Sequence, residues 1–432
     1  MKIINNLIDI DLKSDNGDHM FVNGITGSVD IIHKEEYDQY LKWKENKSGL
    51  YNGNKDLLNS LIKREYIVDD SYNEEAEKEK IIMKYKNAYN SCANECQRVI
   101  FILTYGCNFK CPYCYEKNIS NTKRMSKEQV DKIFEIYNNN VDKIGLFGGE
   151  PLLPGNMEII KYIIQKSPNS EYSIITNGYY LVEFFDILKN IEITNIQITL
   201  DGEKDLHNKS RYLKNGDGTF DKIMTGIKLY AENKIPIRIR MNVSNENIKS
   251  CIRLQHEIEH TPWAQAYVKF EMQSLFQEKS KTKNKLKEQL YLESINGHKN
   301  EMLDRQGALT NFLFKNTKLH VKIKGCAADY AYRFFDPMGN IYSCILAVGN
   351  EGKRVGVYEP VLKWEDKSML KRDITTIPAC RQCKYALICG GGCPNAINDK
   401  YDVSTTPNCV TMREEIEEIV PLIYKLRRGR GK

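Results

Sequence analysis

VIFILTYGCNFKCPYCYEK, residues 99–117, decides how this chain reads. Val99 to Tyr105 is rich in β-branched and aromatic residues and predicts a buried strand. It runs directly into a loop that places Cys107, Cys111 and Cys114 in a C-x3-C-x2-C arrangement. Three thiolates in so short a loop are one ligand short of a closed tetrahedral zinc site, but they can hold three irons of a cubane and leave the fourth open. Strand-like runs recur downstream: KIGLFGG (143–149), YSIITNG (172–178), NIQITLD (195–201), IPIRIRMN (235–242) and AYVKFEM (266–272), with helical patterns between them. Such alternation implies right-handed βαβ units and a parallel sheet, and six repeats fit a partial (β/α)6 barrel, with functional residues at the C-terminal strand ends.

Composition narrows the class. The chain has 432 residues, 41% hydrophobic and 28% charged, which predicts about three domains of an ordinary globular kind. Lys and Arg number 63 against 57 Asp and Glu, a net +6 that is interspersed along the chain and argues against nucleic-acid binding. No signal peptide and no run of about 18 apolar residues is present, which predicts a cytoplasmic protein without a membrane partner. In a reducing compartment the 13 cysteines, mostly in compact groups, read as metal or redox ligands rather than disulfides.

The triplet, with Tyr113 before its last cysteine, resembles the radical S-adenosylmethionine (SAM) enzymes. The resemblance implies a [4Fe-4S] cluster whose open iron binds the amino and carboxylate groups of S-adenosylmethionine, and a 5′-deoxyadenosyl radical that abstracts a substrate hydrogen. Gly148-Gly149-Glu150-Pro151 after the second strand matches the family element that receives the cofactor's ammonium through exposed backbone and carboxylate. Asn177 ends the third strand; Thr199, in ITLDGEKDLHNKSR, is expected toward the ribose and Arg211 toward the methionyl carboxylate. Asp201 and His207 could be purely structural, and no catalytic acid or base is assigned.

A second array runs from Cys326 and Cys344 through Cys380, Cys383, Cys389 and Cys393 to Cys409. It resembles the SPASM domain, an accessory domain of radical SAM enzymes that act on peptides and proteins. The resemblance implies two auxiliary [4Fe-4S] clusters, three clusters in all: Cys380, Cys383, Cys389 and Cys409 hold one completely, and Cys326, Cys344 and Cys393 hold the other with an open iron or a fourth ligand from elsewhere. C-x2-C is equally at home in zinc knuckles, so zinc remains the alternative. Cys92, Cys96 and Cys251 are spare, and His320 is not expected to ligate. In the sulfatase-maturing branch an Asp follows the cysteine corresponding to Cys344; here Ile345 follows it, which disfavours formylglycine formation.

The first 71 residues read as an α+β unit: strands at Phe21-Val22 and Ile25 to Ile32 around Asn23-Gly24, helices around Tyr37 to Leu41 and Lys55 to Arg64, and a closing strand at Tyr66 to Val68. This order resembles the winged-helix recognition domain of enzymes that modify ribosomally made peptides. A DNA-binding winged helix is the alternative, but its helix offers only Lys55, Lys63 and Arg64. The expected organisation is 1–71 leader recognition, 72–96 linker helix, 97–300 barrel, 301–325 bridge and 326–432 SPASM domain, with 280–300 a solvated helical connection and the basic tail KLRRGRGK disordered. The fold class is α/β, a partial TIM-like barrel flanked by a winged-helix-like and an iron-sulfur domain. The expected function is maturation of a precursor peptide bearing a leader, by an intramolecular crosslink, best a Cys thioether. A flavodoxin or ferredoxin type reductant is the expected second partner. Carbon-carbon crosslinking, epimerisation or another peptide oxidation are alternatives, as are a zinc-stabilised DNA-binding protein and an electron-transfer protein.

Overall fold

A computed structural model describes residues 1–45, 54–92, 98–119, 121–274, 319–326, 331–365, 371–397, 401–409, 413 and 415–428. Cys96 and the 280–300 connection lie outside the described residues. The chain divides into two compact units, each discontinuous: Met1–Asn94 with Asp304–Asp329 and Ser368–Lys432, and Glu95–Leu303 with Tyr330–Lys367.

The first unit opens with β1 (Lys2–Ile3), β2 (Leu7–Asp11), β3 (His19–Asn23) and β4 (Val29–Ile32), then α1 (Lys34–Glu45), α2 (Lys55–Lys63) and β5 (Ile67–Val68). β2, β3 and β4 form an antiparallel sheet, and β1 pairs with β5. Phe21, Tyr40, Trp43, Leu57, Leu61 and Tyr66 close its core. The strand expected from Ile25 starts later, because the Asn23 side chain accepts from the Ile25 and Thr26 amides and holds a turn there. β2 was not anticipated.

α3 (Glu74–Cys92) is more than a linker. Ile81, Ile82, Tyr85 and Tyr89 pack on a cluster built from Ile323, Ile374, Ile377, Cys380, Ala386 and Leu387. N-terminal and cysteine-rich residues thus share one compact unit, whereas the sequence predicts consecutive segments.

The second unit is the barrel. Its parallel strands are β6 (Arg98–Ile102), β7 (Lys143–Phe147), β8 (Glu171–Thr176), β9 (Glu192–Thr199), β10 (Ile237–Val243) and β11 (Val268–Ser274), paired in sequence order. Between them lie α4 (Lys127–Ile136), α5 (Met157–Lys166), α6 (Leu181–Leu188), α7 (Lys204–Ser210), α8 (Phe220–Glu232) and α9 (Ile248–Glu259). Along β10 the buried Ile237, Ile239, Met241 and Val243 alternate with half-buried Arg238, Arg240 and Asn242, so one face is core and the other polar. Beyond β6 the sheet continues with β12 (Tyr332–Phe335), parallel to β6, then antiparallel β13 (Asn340–Tyr342), β14 (Gly356–Val357) and β15 (Lys363–Trp364). Residues 332–364, read from sequence as SPASM, therefore extend the barrel's sheet.

The chain re-enters the first unit through α10 (Pro378–Arg381), α11 (Ala386–Cys389) and α12 (Val420–Arg428). α12 corrects the reading of the tail: Lys425 to Arg428 are helical, in a helix anchored by the buried Val420 and Tyr424.

Candidate functional site

β6 ends in the cysteine loop, and the next two strand ends fix that loop in place. The Gly149 amide donates to Thr104 O (2.9 Å) and the Glu150 amide to Gly106 O (2.9 Å). A Cβ on Gly149 would stand 2.4 Å from Tyr105 O and 2.6 Å from Gly106 O, so only glycine admits this approach. On the other side the Lys110 amide donates to Tyr212 O and the Lys214 amide to Asn108 O, which ties the loop to the segment after α7.

Glu150 is fully buried. Its Oε1 accepts from the Leu152 amide (2.8 Å) and Thr176 Oγ1 (2.6 Å), its Oε2 from the Asn177 amide (2.7 Å). Burial pushes its carboxyl up to about 7 against these hydrogen bonds. The expected exposed carboxylate is thus a clasp joining the ends of β7 and β8, with one lone-pair site of Oε2 left over. Pro151 O accepts from Asn156 Nδ2 (3.0 Å). Asn177 Nδ2 donates to Asn108 Oδ1 (2.8 Å) and lies 3.7 Å from Cys107 Sγ, bringing the third strand to the first cysteine.

Arg211 is the charge in this arrangement. It is 8% exposed, its Nη1 donates to Tyr113 Oη (2.8 Å), and its guanidinium lies over the Phe109 ring at 5.6 Å. Tyr113 in turn donates to Asp201 Oδ2, which also accepts from Ser210 Oγ (3.3 Å). Arg211 Nε is buried with no hydrogen-bond partner among the described residues. Burial works against its charge, yet a guanidinium stays protonated, and a buried cation of this kind is suited to an anionic ligand. Thr199 sits half-buried at the end of β9, in register with Arg240.

His207 supports this wall. Thr219 Oγ1 donates to Arg211 O (2.6 Å), so His207 Nε2 donates to Thr219 Oγ1 (3.0 Å) and Nδ1 accepts the Asp201 amide (3.3 Å). Burial, reinforced by Arg211, lowers its pKa to about 3 and keeps it neutral. Asp201, His207 and Asn108 are positioning residues. Asn108 escaped the sequence reading, although it directly follows Cys107.

The three thiols are half-buried. Burial pushes Cys107 up to about 12 and raises Cys111 and Cys114 as well, so a bound cation is needed to hold them as thiolates. Among the described residues no three His, Cys, Asp or Glu converge on a single metal ion. Three thiols beside a buried guanidinium with an unused donor fit a cluster with an anionic ligand.

The second array is built in the first unit from Cys326, Cys380, Cys383, Cys389, Cys393 and Cys409; Cys344 belongs to the barrel unit. After α11 the chain runs through Gly390, Gly391 and Gly392, all at positive φ. A Cβ on Gly392 would stand 2.0 Å from Asn408 O, and the Asn408 amide donates to Gly391 O (3.1 Å). The chain next to Cys409 is thereby laid against the turn between Cys389 and Cys393. Burial raises Cys389 and pushes Cys380 up to about 11, with Cys389, Cys383 and Cys409 as further electrostatic neighbours of Cys380. Cys251 is buried in α9, and the Cys92 side chain lies outside the described residues. Among the described residues no helix is long and apolar enough to cross a membrane.

Residues 101–256 match the family model of the Radical SAM superfamily. Over 356 residues the chain is 21% identical to a cysteine-type anaerobic sulfatase-maturating enzyme of Clostridium perfringens, covering 74% of this chain and 95% of that one. A stretch of 102 residues is 40% identical to a putative glycyl-radical enzyme activating enzyme of Methanocaldococcus jannaschii, covering 23% of this chain and 38% of that one. Among solved structures, anSMEcpe with bound AdoMet and a peptide superposes with TM-score 0.59 at 19% identity, over 77% of this chain and 99% of that one. SuiB of Streptococcus suis, bound to S-adenosylmethionine, gives 0.52 at 15% identity over 95% and 100%. SuiB has also been solved with its precursor peptide SuiA. These likenesses show a shared radical SAM TIM-like α/β fold.

Proposed function

Since residues 101–256 make a radical SAM domain and the chain is an enzyme of that type, we propose that it matures a ribosomally synthesised precursor peptide by an intramolecular crosslink, best a Cys thioether. The observation that carries the radical chemistry is the loop of Cys107, Cys111 and Cys114, fixed by Gly149 and Glu150 beside the buried Arg211. Arg211, with its free Nε, would bind the methionyl carboxylate; the backbone around Gly148 to Pro151 and the remaining Glu150 lone pair would take the ammonium; Asn177 and Thr199 would face the cofactor from the next strand ends. When bound, S-adenosylmethionine and the clusters supply the hydrogen-abstracting radical and an acceptor for the electron left over when the bond forms.

A peptide substrate is supported by the complexes of the two structural neighbours, one solved with a peptide and one with its precursor. The SuiB likeness extends over 95% of this chain, and so beyond the barrel. In the N-terminal module a leader would add a strand to the β2–β3–β4 sheet, with main-chain hydrogen bonds giving affinity. Formylglycine formation is disfavoured by Ile345 directly after Cys344. The reductant is a flavodoxin or ferredoxin type protein.

Co-expression with a candidate precursor, a short Cys-rich peptide from a neighbouring reading frame, tests the reading, and the absence of any such frame weakens it. Intact-mass analysis should show the loss of two hydrogens per crosslink, with the affected Cys protected from alkylation. Loss of two hydrogens with every Cys still alkylated favours carbon-carbon crosslinking; unchanged mass with a D-residue on hydrolysis favours epimerisation. An untouched peptide under reducing, anaerobic conditions overturns the maturase reading.

A further inference from the structure

Arg372 lies in the cysteine-rich part of the first unit and belongs to no motif. It is 5% exposed. Its Nη1 donates to Val403 O (2.7 Å) and Thr406 O (2.5 Å), and its Nη2 to Gly391 O. These carbonyls come from two loops: Gly391 lies between Cys389 and Cys393, while Val403 and Thr406 lead to Cys409. Arg372 Nε is buried with no hydrogen-bond partner among the described residues. Its electrostatic neighbours are Cys380, Cys389, Cys393 and Cys409.

A guanidinium stays charged, and a buried charge faced only by neutral carbonyls lacks a counter-ion. No carboxylate pairs with Arg372 among the described residues. The four thiols beside it are the remaining source of negative charge, and thiolate ligands outweigh the charge of the iron-sulfur core they hold. We propose that Arg372 is a positioning residue that clamps the loops bearing Cys389, Cys393 and Cys409 and, as a buried cation, raises the reduction potential of the auxiliary clusters those cysteines hold. The proposal rests on the auxiliary-cluster reading of these cysteines. The sign follows from charge: reduction adds an electron to an already negative cluster, and a nearby cation favours the reduced form. Cys393 falls in one expected ligand set and Cys380, Cys389 and Cys409 in the other, so Arg372 touches both sets electrostatically.

The test uses the full chain, reconstituted anaerobically, with R372M and R372K. Iron per chain and EPR-monitored redox titration are read, and a Cys107, Cys111 and Cys114 to Ala variant identifies which signals are auxiliary. R372M should shift at least one auxiliary cluster to lower potential and leave the barrel cluster unchanged, while R372K stays near the wild-type potential. R372M with full iron and unchanged potentials, or R372K shifted as far as R372M, overturns the proposal. Should R372M lose auxiliary iron, R372K decides: iron retained at the wild-type potential supports the required charge, and iron lost there too overturns it. Zinc in place of auxiliary iron in the wild-type protein overturns the cluster reading itself, and is seen before any variant is made.

Discussion

His207 holds a neutral imidazole between the Asp201 amide and Thr219, and this gives the folded chain a pH signature. Its pKa is about 3 in the fold against 6.5 unperturbed, so between those values the folded chain binds fewer protons than the unfolded one. The stability it contributes is complete above pH 6.5 and is lost progressively as pH falls toward 3. H207Q has no such titration. In urea denaturation it should be less stable than wild type by about 1–3 kcal/mol at pH 7, because the Asp201 amide loses its acceptor. That gap should close by about 2 kcal/mol at pH 5, and an equal gap at both pH values would refute the assignment. At this scale the gathering of Cys107, Cys111, Cys114 and Arg211 at one end of the strands was legible, because each belongs to a spacing pattern. The sequence was not legible for Glu150, whose burial depends on donors from Leu152, Thr176 and Asn177, which no local pattern reveals.

At the scale of elements, the turn at Gly390 to Gly392 shows how a short, irregular region is held. Gly392 combines φ +76° with an approach to Asn408 O that leaves no room for a Cβ. G392A should therefore cost at least about 1–2 kcal/mol locally and push the Cys409 segment away from Cys389 and Cys393. Metal analysis should show auxiliary iron lost while the barrel cluster is kept; full iron retention would contradict the packing. The parallel strands β6 to β11 were readable because apolar runs, as in β6 and β7, or apolar-polar alternation, as in β10, are separated by helical patterns. Among the elements the sequence left unread, two show the physical reason. α3 carries a stripe at Ile81, Ile82, Tyr85 and Tyr89 that its many Lys and Glu residues obscured. β12 is four residues long, and its place beside β6 rests on a backbone pairing across more than 200 residues of chain.

For the whole molecule, three cubanes require about twelve irons per chain, and zinc in the cysteine-rich region would leave about four. Iron and zinc analysis of the reconstituted protein should return the first value. The family-level reading was accessible because two cysteine arrays and a barrel pattern agree; the partition into units was not, since it depends on residues far apart in sequence meeting in one core. That partition bears on biosynthesis. As the chain leaves the ribosome, the six parallel strands appear well before β12 to β15, and β1 to β5 appear before them, yet the unit of β1 to β5 also draws on residues 371–428. Residues 371–428 must have emerged before that unit can close, and by then the barrel strands β6 to β11 are already out. Until residues 371–428 arrive the α3 stripe has no apolar partner from Ile374, Ile377, Ala386 and Leu387, and a chain paused at that stage is a natural target for aggregation or proteolysis.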